Sequence, residues 1–150
     1  MMKILAKNKK AYFDYEILEK FEAGIVLTGN EVKSIRAGRM SLVSSFVILK
    51  NEEVFLINAS IPPYQPKNVP AEYEPIKTRK LLLKKSEIKH LIGKSKQKGL
   101  TLIPLKVYTD KRNIKIEFAV GRGKKKFDKR EKIKKQDIER EMRKALKYKF

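Results

Sequence analysis

Residues 114–120 read Ile-Lys-Ile-Glu-Phe-Ala-Val, so every second side chain is a large apolar one. This two-residue period is the pattern of a β-strand with one buried face. Residues 100–108 alternate less strictly and precede it across a turn at residues 110–113. The two runs predict a hairpin of long strands, and this hairpin is the clearest strand signal in the chain.

The apolar alternation ends at Gly121, where the sequence continues Gly-Arg-Gly-Lys-Lys-Lys-Phe-Asp-Lys-Arg-Glu. From there to the end the chain has 14 Lys and Arg against 5 Asp and Glu. We therefore predict a packed body, residues 1–122, and a basic C-terminal tail, residues 123–150. The tail should be disordered when free and helical when bound, because its apolar stripe is narrow and short isolated helices are marginal in water. The stripe consists of Ile138, Met142, Ala145 and Leu146.

The segments before the hairpin also indicate a mainly β body. Two β-rich runs flank a short turn at residues 51–53, and residues 15–27 read as two strand segments around a bend at Ala23-Gly24. Five of the six prolines lie in residues 61–76, which predicts a surface loop, since proline fits neither a helix interior nor a central strand. Strands at short spacing without a βαβ rhythm predict a small antiparallel barrel with flanking short helices.

Two helices are expected in the body, and residues 1–10 are expected to be a basic lead-in to a strand. The first helix, residues 31–37, ends at Gly38. The second begins after Ser86 as its N-cap and ends at Lys98-Gly99. The polar face of the first helix, which we expect to be exposed, consists of Glu31, Lys33, Ser34 and Arg36.

The charge of the chain points to a polyanionic partner. The formal net charge is +20 over 150 residues, with a pI near 10.1. The chain has no Cys, which excludes a disulfide framework and thiol chemistry. Without a signal peptide or a long apolar run, the sequence predicts a cytoplasmic protein that does not enter a membrane.

No residue pattern in the sequence predicts catalysis. The single histidine, His90, is expected to be an ordinary helix residue, since no Ser or Cys partner is evident. No His and carboxylate cluster has the spacing of a zinc site, and Gly123-Lys124 lacks the remainder of a phosphate-binding loop. We therefore expect no enzyme activity, no metal and no cofactor.

The basic clusters are the remaining candidates for a site. One such run is most often a solvated face, but four of them on a small barrel with a basic tail favour RNA. The clusters are Lys9-Lys10, Lys33 with Arg36 and Arg39, Arg79-Lys80 with Lys84-Lys85, and Lys124 to Lys126.

Nearly the whole chain resembles the small protein B (SmpB) family, the SsrA-binding proteins of bacterial ribosome rescue. Two departures from the family pattern are Phe13, where members commonly carry His, and Phe127, where His or Tyr is usual. Both keep a planar ring but lose a polar group. The motifs that carry the resemblance are Asn8-Lys9-Lys10-Ala11, Phe21-Glu22-Ala23-Gly24-Ile25, Glu31-Val32-Lys33-Ser34, Arg36-Ala37-Gly38, Thr78-Arg79-Lys80-Leu81-Leu82-Leu83, Gly123-Lys124-Lys125 and Asp128-Lys129-Arg130-Glu131.

The resemblance implies an OB-like barrel that binds the tRNA-like domain of transfer-messenger RNA, one protein to one RNA, with the tail presented to small-subunit ribosomal RNA. It implies, together with the basic clusters, an RNA-binding set and a ribosome-binding set. The RNA-binding set is Asn8, Lys9, Lys10, Glu22, Lys33, Arg36, Arg79, Lys80 and Leu81. The ribosome-binding set is Lys124, Lys125, Lys126, Phe127, Asp128, Lys129 and Arg130.

Two alternatives stay open from the sequence. Glu22 on an RNA-binding surface could accept from a base amino group or a 2′-hydroxyl, or hold a neighbouring cation, but it could equally form an ion pair inside the barrel. For the protein as a whole, the alternative is a general ribosomal or RNA-chaperone protein without a dedicated partner. An RNA-modifying enzyme is disfavoured because acid–base and metal groups are missing.

Overall fold

Three helices and seven strands form the part of the chain that the structure, a computed structural model, describes: residues 2–65, 72–124 and 140. In this part no helix has the length and apolar character needed to cross a membrane. The elements are β1 (Lys3–Lys7), α1 (Lys9–Asp14), β2 (Tyr15–Ile25), α2 (Gly29–Arg36), β3 (Phe46–Lys50), β4 (Glu53–Ile57), β5 (Arg79–Leu82), α3 (Lys85–Ser95), β6 (Leu100–Asp110) and β7 (Asn113–Gly123).

The strands form one antiparallel sheet in the order β1-β6-β3-β4-β5-β2-β7, and β6 also pairs with β7. Six strands therefore make a closed circuit of pairings, to which β1 is added along β6. The prediction of a mainly β antiparallel body with a few short helices is confirmed.

The predicted hairpin of β6 and β7 is the longest pairing in the sheet, running from Leu100 opposite Arg122 to Asp110 opposite Asn113. Its alternation divides the sheet into two faces. Ile116 and Phe118 point inward and are fully buried, and burial of each such side chain stabilises the fold by about 1.5 to 3 kcal/mol. The intervening Lys115 and Glu117 therefore lie on the outer face.

Helix α2 differs from the prediction on its polar side. Its start is a capping box, in which the Thr28 hydroxyl accepts from the Glu31 N–H at 3.3 Å and the Glu31 carboxylate accepts from the Thr28 N–H at 2.9 Å. Glu31 and Ser34 are buried, whereas exposure was expected. Ser34 donates to the Pro62 carbonyl at 2.6 Å, so this side of the helix holds the Pro-rich segment.

The N-terminal segment and α3 also differ from the prediction. Residues 1–10 were expected to lead into a strand, but β1 already pairs with β6 and α1 follows it. Helix α3 begins at Lys85 with Lys84 as N-cap, because Glu87 accepts from the Lys84 N–H at 3.3 Å, and it ends at Ser95 rather than at Lys98-Gly99. Gly99 instead occupies a turn with a φ of +79°.

Strand β2 is continuous, and its register shift lies between Ile17 and Glu19 rather than at Ala23-Gly24. The Pro-rich segment contains no helix or strand in its described parts, 61–65 and 72–76, as predicted, while Pro66 and Pro70 lie outside the described residues. Where β7 ends, Gly121 packs closely against β6 and β2. A Cβ there would lie 2.7 Å from Ile103 Cδ1 and 3.2 Å from Tyr15 Cβ, so a larger residue would require the Ile103 side chain to shift.

Candidate nucleic-acid interface

Side chains from three adjacent strands form a polar surface on the outer side of the sheet, which we call the Glu22 face. In the strand register Glu22 lies opposite Glu117, and Glu117 lies opposite Lys106. Tyr108 lies opposite Lys115. These residues therefore share the outer side of the sheet, since the inward positions between them are apolar. The face consists of Lys20, Glu22, Lys106, Tyr108, Lys115 and Glu117.

The Glu22 carboxylate is held from two sides. The Tyr108 hydroxyl donates a hydrogen bond to Glu22 Oε2, and Lys115 Nζ donates to Glu22 Oε1 at 2.9 Å. The hydrogen bond from Tyr108 lowers the pKa of Glu22, and the Lys115 contact lowers it further. Burial raises the pKa of Tyr108, as does its hydrogen bond to Glu22. Glu22 is therefore an ionised acceptor and Tyr108 a neutral donor near pH 7.

The rest of the face is held together by looser ion pairs. Lys20 Nζ and Lys106 Nζ each lie 3.9 Å from a Glu117 carboxylate oxygen. Lys106 also lies over the Tyr108 ring, 5.7 Å from its centroid. Exposed pairs at this distance contribute little to stability, so these ammonium groups can exchange a carboxylate for a phosphate.

An open cleft continues the face beyond Lys115. Gly24, Leu82, Arg36, Arg112 and Lys115 all line it. Arg36 Nη2 donates to the Arg112 carbonyl at 2.9 Å, which ties α2 to the β6–β7 turn. Leu82 is 53% exposed although it lies within a strand. The cleft thus has an apolar floor and three cations at its edge, an arrangement that suits a base and its phosphates.

Helix α1 covers the other end of the same side of the sheet. Its Ala11 packs in one cluster with Ile103, Leu105 and Ala119, and Ala119 shares the side of Lys115 and Glu117 by alternation. Asn8 fixes the start of the helix, because Asn8 Nδ2 donates to the Pro104 carbonyl at 2.9 Å. Lys9 and Lys10 are exposed. The structure therefore brings three predicted sites, the Asn8–Lys10 segment, Glu22 and Arg36, to one side of the sheet.

Arg79 and Leu81 have a different environment from the one expected. Each is only 2% exposed, and only Lys80 between them points to solvent, because β5 alternates between the two sides of the sheet. Arg79 Nε donates to Glu31 Oε2 at 2.6 Å. The remaining guanidinium donors bond the carbonyls of Ala59, Lys77 and Pro75 at 2.9 to 3.1 Å. The side chains of Arg79 and Leu81 are therefore inside the body.

Two further predicted residues, Lys33 and Lys124, lie on or beside helices of the body. Lys33 is exposed on α2. Lys124 follows β7 and lies beside α1: its backbone N–H donates to the Asp14 carbonyl at 2.9 Å and its Nζ donates to the Tyr12 carbonyl at 3.2 Å. The other predicted tail residues, Lys125, Lys126, Phe127, Asp128, Lys129 and Arg130, lie outside the described residues.

Sequence reasoning missed Lys20, Lys106, Tyr108 and Lys115. The alternation of β7 already placed Lys115 and Glu117 on an outer face, so part of the signal was present. The contacts to Glu22 were not visible, because they depend on the register between β2, β7 and β6. The alternative of a Glu22 ion pair inside the barrel is wrong in its position: the pair with Lys115 exists, but the Glu22 side chain is 50% exposed.

The structure gives His90 a role in packing. His90 Nε2 lies 2.9 and 3.0 Å from the two Glu19 carboxylate oxygens, and its ring is 5.9 Å from that of Phe21. These contacts join α3 to β2. Within the described part of the chain, no group of three or more His, Asp and Glu side chains could hold a metal ion.

Comparison with known proteins gives one consistent family. A sequence model described as SmpB protein matches residues 5–148. The SsrA-binding protein of Carboxydothermus hydrogenoformans is 51% identical over 150 residues, covering 100% of both chains. That of Caldicellulosiruptor saccharolyticus is 53% identical over 146 residues, covering 97% of this chain and 92% of the relative.

A solved structure described as "tmRNA-SmpB: a journey to the center of the bacterial ribosome" contains a similar chain. The two chains are 48% identical with a TM-score of 0.67, and the match covers 80% of this chain and 84% of the other. The family match spans both the body and most of the tail. The chain therefore belongs to the SmpB protein family.

Proposed function

We propose that this protein binds the tRNA-like domain of transfer-messenger RNA and delivers it to stalled ribosomes in trans-translation. The relatives are named for binding SsrA RNA, and the description of the similar solved structure names tmRNA, SmpB and the center of the bacterial ribosome. The protein acts as a binding partner and not as an enzyme. Its place of action is the cytoplasm, where it is a monomer that binds one RNA.

The observation that carries this proposal is the clustering of predicted sites on one side of the sheet. Helix α1 with Lys9 and Lys10, the Glu22 face and the Arg36 cleft follow one another along the same surface. Cations supply the contacts to phosphate that position an RNA. The Glu22 carboxylate cannot bind phosphate, so it supports recognition of a donor group and hence a specific partner.

The body is an OB-like barrel in this proposal. The closed circuit of strand pairings supports a barrel, and OB-folds use an outer sheet face and loops to bind nucleic acids. Arg79 and Leu81 then act from inside, by fixing β5 so that Lys80 and Leu82 face the RNA.

In this proposal the C-terminal tail binds the small ribosomal subunit. Lys124, near the start of the predicted tail, lies beside α1, so the tail would leave the body at one end of the RNA-binding side. Lys124, Lys125, Lys126, Lys129 and Arg130 would contact phosphates of small-subunit ribosomal RNA at the decoding centre and the empty messenger channel. Phe127 would stack on a base, and Asp128 would cap the tail helix.

Binding should depend steeply on salt, and the outer face should carry part of that dependence. Lys20→Gln removes one phosphate contact, so affinity for the tRNA-like RNA should fall and the slope of log K against log salt should decrease by about 0.7 to 0.9. Lys96→Gln, at the end of α3, makes the same charge change away from the Glu22 face. Filter binding between low and moderate salt measures both slopes, and equal slopes for the two variants would place the RNA elsewhere.

A further inference from the structure

The position of an anion in the middle of a phosphate-binding side is the least expected feature of the molecule. A simple polyanion-binding surface would have no carboxylate at its centre, since the carboxylate repels phosphate. Glu22 is nevertheless half exposed and held by two separate donors, Tyr108 and Lys115. Its orientation is therefore fixed before any RNA arrives.

The two donors leave part of the carboxylate available. An ionised carboxylate has about four acceptor positions, two on each oxygen. Tyr108 uses one position on Oε2 and Lys115 one on Oε1. Each oxygen keeps an acceptor position, so the group can accept two parallel hydrogen bonds. A ribose 2′-hydroxyl would use only one oxygen, whereas the Watson–Crick edge of guanine offers two adjacent N–H donors.

Tyr108 determines the orientation more strictly than Lys115 does. Its ring is 4% exposed and lies beneath Lys106, so its hydroxyl has one position relative to the sheet. The Lys115 ammonium ends a flexible side chain that is 31% exposed, so its position is less restricted. The neighbouring cleft, with Leu82 as its apolar floor and Gly24 leaving the strand surface low, provides space for a base next to the carboxylate.

We propose that Tyr108 and Lys115 hold the Glu22 carboxylate as a fixed acceptor for the Watson–Crick edge of one unpaired guanine in the bound RNA. Tyr108 is thus a positioning residue that acts through Glu22. This inference rests on the proposed function, because it presupposes an RNA with exposed loop bases. Recognition of unstacked bases by their edges is the usual source of sequence preference in RNA binding.

The test is a cycle that combines a protein change with an RNA change. Full-length wild type and Tyr108→Phe are titrated with the tRNA-like domain of transfer-messenger RNA, with the same RNA carrying inosine at its loop guanines, and with a duplex RNA of equal length. Inosine lacks the guanine amino group. Wild type should lose about tenfold in affinity on inosine substitution, the size expected for one hydrogen bond to a charged group.

The Tyr108→Phe variant should bind the unmodified RNA about tenfold more weakly and should be nearly insensitive to inosine, since the two changes remove the same interaction. Its affinity for duplex RNA should equal that of wild type. Carboxyl NMR should show the pKa of Glu22 closer to its ordinary value in the variant, which a merely structural role of Tyr108 would not produce. If Tyr108→Phe lowers the melting temperature, Lys115→Gln repeats the test at a position that is more exposed than Tyr108.

Equal sensitivity of wild type and Tyr108→Phe to inosine would overturn the inference. Replacement of loop riboses by deoxyribose should change the affinity of both proteins equally. A larger loss of affinity for wild type would assign the Glu22 contact to a 2′-hydroxyl, and the guanine assignment would then be wrong. A wild-type protein that binds duplex RNA as tightly as the tRNA-like domain would refute the proposed function itself. The two failures are therefore distinguishable.

Discussion

Replacement of Arg79 by Met should lower the free energy of unfolding by about 3 to 5 kcal/mol, the cost of breaking a buried ion pair from one side. Glu31, which is only 1% exposed, would lose its closest charged partner and keep only the longer contact with the half-exposed Lys77, whose Nζ lies 3.5 Å from Glu31 Oε1. The carbonyls of Ala59 and Lys77 would also lose the Arg79 donor, and that of Pro75 would keep only the Ile61 N–H. Domains of this size have only about 5 to 15 kcal/mol of stability, so a large part of the fold's stability depends on this contact.

Urea unfolding followed by circular dichroism measures the loss. Lys80→Met is the matched control, because Lys80 is the exposed neighbour on the same strand and its pair with Glu53 spans 3.5 Å at the surface. Its effect should stay within about 0.5 kcal/mol. A loss below about 1 kcal/mol for Arg79→Met would show that the pair with Glu31 is not an important support of the body.

The ion pair of Arg79 with Glu31 should also make the free energy of unfolding depend on pH in the acid range. Burial alone raises the pKa of Glu31, but the Thr28 N–H and the Arg79 guanidinium lower it by more, so the folded-state pKa lies below the unfolded one. The stabilisation is then complete above the unfolded pKa near 4.3 and is lost as pH falls through the lower, folded value. Arg79→Met removes one of the groups that lower the pKa of Glu31 and should reduce this acid-dependent part of the unfolding free energy.

Removal of the tail should abolish peptide tagging on stalled ribosomes and leave RNA binding nearly intact. A chain that ends at Lys124 keeps the Glu22 face, α1 and the Arg36 cleft. It loses 12 of the Lys and Arg residues and 5 Asp and Glu residues, which are the groups proposed to contact ribosomal RNA. Tagging in a reconstituted translation system and affinity for the tRNA-like RNA measure the two properties on the same preparation.

Controls within the tail separate sequence from charge. Phe127→Ala keeps the net charge and Asp128→Ala raises it by one, yet both should reduce tagging if stacking and capping are needed. Full tagging by both variants at matched protein levels would show that any polycation suffices. Loss of RNA binding together with the tail would contradict the division of roles between body and tail.

The fold could be predicted as far as local patterns determine it. The β6–β7 hairpin was visible because the alternation of Ile114 to Val120 needs no knowledge of distant residues. Helix α1 was missed because six residues carry a weak helical signal, and its position depends on packing of Ala11 against β6. Tertiary contacts of this kind override local preference.

Part of the candidate site, Lys9, Lys10 and the residues of the family motifs, could be predicted from the sequence, but the lysines of the Glu22 face and the contacts within the site could not. Arg79 lies in a basic run, and the sequence therefore suggested a contact with phosphate. Its ion pair with Glu31, 48 residues away, shows instead that the guanidinium binds a carboxylate inside the body. Glu22 could be expected inside the barrel but is half exposed, and its partners Tyr108 and Lys115 are 86 and 93 residues away. Long-range register determines both environments, and one sequence does not contain it.

Competition binding tests the central claim most directly. Labelled tRNA-like domain of transfer-messenger RNA is bound to the full-length protein near 150 mM salt and displaced by unlabelled bulk tRNA, ribosomal RNA or the same domain, because affinities are comparable only at a stated salt concentration. We predict that the tRNA-like domain competes at concentrations at least about tenfold lower than the other RNAs, and that Glu22→Gln reduces this preference. Equal competition by all three RNAs would contradict the account and identify a general RNA-binding protein.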